Sequence, residues 1–134
     1  MKLPLPLSIV AAAAPSAESP FACNRAALTG QARKRHFDVL SPALQARKKS
    51  IRELRDGFEF EFPSDPPTFQ LVSEWATGER LCCPFLDIHV HVEREGGSLW
   101  LRLTGREGVK QVIHSDFAAW FAEPGGPSAA RARL

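Results

Sequence analysis

Asp56-Gly57-Phe58-Glu59-Phe60-Glu61-Phe62-Pro63 sets phenylalanine and glutamate in strict alternation. Successive side chains of an extended strand point to opposite faces, so this period of two predicts a half-buried strand. Asp-Gly is a strong hairpin-turn signal. It predicts a partner strand over Ser50-Ile51-Arg52-Glu53-Leu54, although Ile51 and Leu54 do not alternate cleanly. Pro63, Pro66 and Pro67 end the Phe-rich strand, because proline has no amide to give to a ladder.

A second alternating pair follows. Leu86 to Glu93 and Ser98 to Thr104 alternate in the same way across the turn residues Glu95-Gly96-Gly97. Between the hairpins, Phe69, Val72, Trp75 and Ala76 recur at helical spacing and predict a helix from Thr68 to about Cys82, weakened by Gly78 and closed by Pro84. Upstream, Thr29 is placed to cap a helix through Arg33, Phe37, Leu40 and Leu44. Pro42 would kink that helix or restart it with Ser41 as a new cap. Arg47, Lys48 and Lys49 read as a solvated end. Gly105 and Gly108 flank the start of a final helix carrying Val109, Val112, Ile113, Phe117, Trp120 and Phe121.

The order is α-ββ-α-ββ-α. It predicts an α+β two-layer sandwich, a four-stranded antiparallel sheet with helices on one face. Phe58, Phe60, Phe62, Ile88, Val90, Val92, Leu99, Leu101 and Leu103 should face the helices. Glu59, Glu61, Asp87, His89, His91, Glu93, Trp100 and Arg102 should cover the wet face.

The chain's 134 residues suit one domain. Nine Phe and three Trp supply a core. A net charge of +2, from 17 basic and 15 acidic residues, gives no electrostatic reason to expect nucleic acid. No run of about 18 apolar residues is present, so no membrane span is expected. Residues 1–20 read as a disordered Ala/Pro-rich extension, residues 21–122 as the single domain, and residues 123–134 as a disordered tail. Residues 1–17 also have the outline of an export signal. Pro4, Pro6 and a lone Lys2 argue against it, and a cytoplasmic location is the expectation.

Glu79-Arg80-Leu81-Cys82-Cys83-Pro84-Phe85 is the one dense chemical constellation. Glu79 lies three and four residues before the two thiols and shares their side of a helix. Cys23 is the third cysteine of the chain and could fold back onto the same spot. Three thiolates make a soft donor set suited to Zn, Cu or Hg, with Glu79 as an auxiliary ligand. The competing reading is plain: buried cysteine packs as a small hydrophobe. A vicinal Cys82–Cys83 disulfide is disfavoured by strain. His89 and His91 form an H-x-H pair on one strand face, a secondary candidate for a metal or simply a solvated face. His36 reads as a helix-surface residue, and His114 has no visible partner. No Ser-His-Asp order, phosphate-binding glycine loop or H-E-x-x-H motif is present.

Phe21-Ala22-Cys23, Arg35-His36, Asp56-Gly57-Phe58, Glu79 to Leu86 and Leu99 to Lys110 resemble small bacterial proteins with an ERxCCPF…LWLRLTGxEGVK signature. The segment is also similar to the cysteine-pair segment appended to some mercury-resistance-type transcriptional regulators. That resemblance implies a compact domain and a soft-metal role for Cys82, Cys83 and Cys23, and it brings no established catalytic residue. The chain has no helix-turn-helix region before the domain, unlike those regulators.

The expected function is therefore soft-metal or metalloid binding through a cysteine cluster, in sensing or detoxification. The expected partner is a metal ion or a small thiol-reactive ligand. The alternatives are a thiol-dependent enzyme or redox protein using Cys82 or Cys83, and a non-catalytic interaction domain with buried cysteines.

Overall fold

Strand β2 (Gly57–Phe62) holds the centre of the sheet with β4 (Leu99–Thr104), flanked by β1 (Ser50–Leu54) and β3 (Asp87–Val92) in the order β1-β2-β4-β3. All pairings are antiparallel. In this computed structural model, which describes Pro4 and residues 18–122, the predicted α+β sandwich is the observed architecture. The extension and tail expected over 1–20 and 123–134 fall almost wholly outside the described residues. Glu18 and Ser19 of the extension touch the domain: Arg106, which lies over the Phe21 ring, pairs with Glu18 at 3.2 Å and donates to the Ser19 carbonyl at 2.6 Å.

Phe58, Phe60 and Phe62 stand directly opposite Leu103, Leu101 and Leu99, and all six are buried. Each such side chain contributes about 1.5–3 kcal/mol by leaving water. Gly57 starts β2 because a Cβ there would lie 1.9 Å from the Leu103 carbonyl oxygen of the neighbouring strand. Over this apolar face pack α3 (Pro66–Cys82), α4 (Val109–Asp116) and a 3-10 turn at Ala118–Phe121 that ends the helix predicted to run through Phe121. Trp120 closes on Phe60 and Phe62 with edge-on rings at 5.3 and 6.2 Å.

Two expectations of burial change. Val90 and Val92 keep the predicted alternation but remain 37% and 45% exposed, because β3 is an edge strand that the helices cover only as far as Ile88. Glu59, predicted on the wet face, is only 3% exposed. Its cross-strand neighbours Arg52 and Arg102 pair with it at 2.9 and 3.1 Å, and their stems shield it.

The first helical stretch runs as α1 (Gly30–Lys34), a π-helical turn (Arg35–Leu40) and α2 (Ser41–Arg47). Thr29 occupies the N-cap position without a side-chain cap bond. Ser41 is no cap. Its amide bonds the His36 carbonyl five residues back, and its hydroxyl donates to the same oxygen at 2.9 Å. Pro42 has no amide, so one ordinary helical bond is lost there in any case, and the widened turn absorbs that loss. His36, Leu40 and Leu44 are buried, whereas Phe37 is only partly so. His36, predicted on the surface, is therefore a core residue.

Candidate functional site

Helix α3 carries a buried stripe of Thr68, Val72, Trp75, Glu79 and Cys82. The spacings alternate four and three, so the stripe that packs the tryptophan also sends a carboxylate inside. Phe69, predicted to face the core, lies off that stripe and is 41% exposed. Asp65 caps the helix by accepting from the Thr68 amide at 3.1 Å, and Pro66 sits in the first turn, where its missing amide costs nothing.

The helix ends at the cysteine pair, and the two sulfurs part company. Cys83 is the C-cap residue, its amide bonded to the Glu79 carbonyl at 2.8 Å. It forms a disulfide with Cys23, 60 residues away in sequence. A backbone bond of 2.6 Å from the Asn24 amide to the Cys82 carbonyl ties the Cys23 segment to the helix end. The predicted return of Cys23 to this spot is thus seen, with Cys83 as its partner. Cys82 stays a free, buried thiol. Burial pushes that thiol up from its ordinary value and the Glu79 carboxylate pushes it further, against weaker pulls from Arg25 and Arg33.

One ligand atom each from Cys23, Glu79 and Cys83 lies within 4.8 Å of the others. With the disulfide opened, these three make a group that could hold a metal. Cys82 does not belong to it. Among the described residues no comparable group includes His89 or His91. Both are exposed on β3, opposite Arg102 and Trp100 respectively.

His36 completes the cluster, and sequence reasoning missed it. Its Nε2 shares a 2.7 Å hydrogen bond with Glu79 Oε2, and both side chains are almost fully buried. The ring stacks on Trp75 at 5.8 Å and meets Phe37 edge-on at 4.8 Å. Trp75 in turn donates to the Ser41 hydroxyl at 3.1 Å. The imidazole fits only because residue 78 is glycine: a Cβ there would lie 2.7 Å from His36 Nδ1. Among the described residues that Nδ1 has no hydrogen-bond partner. The one sequence sign of this arrangement is Glu79 itself, four residues past Trp75 on the stripe.

A cleft of about 670 Å³ opens beside the disulfide. Phe21, Phe37, Phe117 and Trp120 give it apolar walls, and Cys23, Glu79 and Cys82 reach it. Asp116, which no sequence pattern singled out, brings Oδ2 to 3.2 Å from Cys23 Sγ. Arg25 lies at the same cleft with its guanidinium 3.7 Å above the Phe37 ring. The cluster therefore combines a disulfide, a histidine-held carboxylate, and access through Cys23.

No family model, curated protein or solved structure matches the chain.

Proposed function

We propose that the reduced protein binds a soft metal or metalloid ion through the Cys23 and Cys83 thiolates, with Glu79 as an oxygen ligand, in sensing or detoxification. The convergence of these three groups within 4.8 Å supports the reading. Two thiolates favour Cu(I), Zn(II) or Hg(II) over hard cations such as Mg or Ca. His36 serves as the outer partner that orients the ligating carboxylate, as such partners do in metal sites. Cys82 is a neighbour in this reading and not a ligand. Oxidation to the Cys23–Cys83 disulfide consumes both thiolates, so the reduced form is the binding form. A cytoplasmic setting, where thiols are kept reduced, is the one in which the site operates. Kinship with the cysteine-pair segment of mercury-resistance-type regulators, on the residues quoted above, belongs to the same proposal.

Native mass spectrometry of the reduced protein with Zn(II), Cu(I) or Hg(II) tests it. One ion per chain is expected, lost in Cys23→Ser/Cys83→Ser and kept in Cys82→Ser and in His89→Ala/His91→Ala. Binding that survives the loss of Cys23 and Cys83 would overturn the reading.

A further inference from the structure

The oxidised form offers chemistry of its own. We propose that the Cys23–Cys83 disulfide is opened in the cleft by small thiols that carry an ammonium group, with Cys23 as the sulfur attacked. This inference does not rest on the metal reading, because it concerns the protein with both sulfurs oxidised and no ion present.

Access selects the sulfur. Thiol–disulfide exchange requires a thiolate to reach one sulfur while the other leaves. Cys83 is 0% exposed at the end of α3, whereas Cys23 is partly exposed and lines the cleft. A thiolate in the cleft therefore meets Cys23 Sγ and displaces Cys83. The cleft's volume of about 670 Å³ falls in the range of small-molecule sites, roughly 300–1,000 Å³.

Charge selects the thiol. Asp116 Oδ2 stands 3.2 Å from the attacked sulfur, and Asp38 and Glu79 also line the cleft. One guanidinium, Arg25, lines the cleft with them and lies over the Phe37 ring, so carboxylates outnumber cations in its lining. An anionic thiol carries its charge toward these carboxylates and is repelled. An aminothiol brings an ammonium group that Asp116 can receive while the sulfur attacks.

The step balances. The entering thiol RSH loses its proton to solvent, and its thiolate forms an RS–S bond to Cys23. The Cys23–Cys83 bond breaks, and Cys83 leaves with the electron pair and takes up one proton. The products are a mixed disulfide at Cys23 and a free Cys83 thiol; a second RSH can then attack the small-thiol sulfur, so that RSSR departs and Cys23 leaves as the thiol.

The test uses the oxidised full chain with a chelator present throughout. It is exposed to cysteamine or 3-mercaptopropionate at matched thiolate concentration, quenched in acid, and mapped by peptide mass spectrometry. Rates are normalised to each thiol's rate on an uncharged disulfide, 2-hydroxyethyl disulfide. The adduct is expected on Cys23, with cysteamine favoured by about ten-fold, and the preference should shrink toward unity in high salt. Asp116→Asn, a change at an exposed position, should also bring the ratio toward one without moving the melting temperature. An adduct mainly on Cys83, equal rates in the native protein, or a preference untouched by both salt and Asp116→Asn would each overturn the proposal.

Discussion

Cys82 and Cys83 occupy consecutive positions, yet the helix turn between them sends one thiol into the core beside Glu79 and the other to a disulfide. The raised Cys82 thiol has a consequence for stability. Between the unfolded thiol value of about 8.5 and the higher folded value, the unfolded chain binds fewer protons than the native one, so stability falls as pH rises. Urea midpoints measured from pH 7 to 10 should therefore drop more steeply for the native sequence than for Cys82→Ala. Equal slopes would mean that the buried thiol ionises as freely as in water. Gly78 supplies a second residue-level prediction. Alanine would favour the helix by about 1 kcal/mol, but its Cβ would strike His36, and overpacking costs typically about 1–3 kcal/mol. Gly78→Ala should thus destabilise the native sequence and stabilise a His36→Ala background, a sign reversal that denaturant titration of the four variants would resolve.

At the scale of elements, α3 and the π-helical turn act as a pair. The turn brings His36 inward, the α3 stripe brings Glu79 to meet it, and Trp75 stacks on the imidazole while bonding Ser41 of the adjoining α2. The start of α3 is fixed by Asp65, whose carboxyl is held below its usual range by hydrogen bonds from the Thr68 hydroxyl and then its amide. A depressed carboxyl stabilises the fold above its unfolded value of about 4 and loses that contribution as pH falls through the folded value. Asp65→Ala should lower the melting temperature at pH 7, and the gap from the native sequence should narrow between pH 4 and pH 2. A gap constant across that range would remove the cap's carboxylate from the account.

At the scale of the whole molecule, the Cys23–Cys83 link spans 60 residues and ties the segment before α1 to the end of α3. Closing a loop of that length restricts the unfolded chain and contributes roughly 2–4 kcal/mol. Reduction should lower the unfolding free energy by that amount while leaving the far-ultraviolet circular dichroism unchanged below the transition. Loss of the fold on reduction would mean that the disulfide is needed for the core to form, contrary to the reduced binding form proposed above. The described helices include none long and apolar enough to cross a membrane.

What the sequence determined by itself was the periodic part. Asp56-Gly57 and the alternating Phe58, Phe60 and Phe62 specify a hairpin because strand geometry is local, and the Leu99–Leu103 alternation and the Trp75 stripe follow from the same local rules. Helix order and sheet class came from those periods. The tertiary structure alone decided which thiols meet, because Cys23 and Cys83 are brought together by chain path and not by spacing. It decided that His36 is buried, since only packing against Glu79 and Trp75 of α3 selects the side of that helical stretch that faces the core. It placed Glu59 under Arg52 and Arg102, which are neighbours only through strand pairing. It also brought Asp116 from the end of α4 to Cys23, a contact between residues 93 apart in sequence. Local patterns report the energetics of neighbouring residues, and a site assembled from distant ones becomes legible only when packing has joined them.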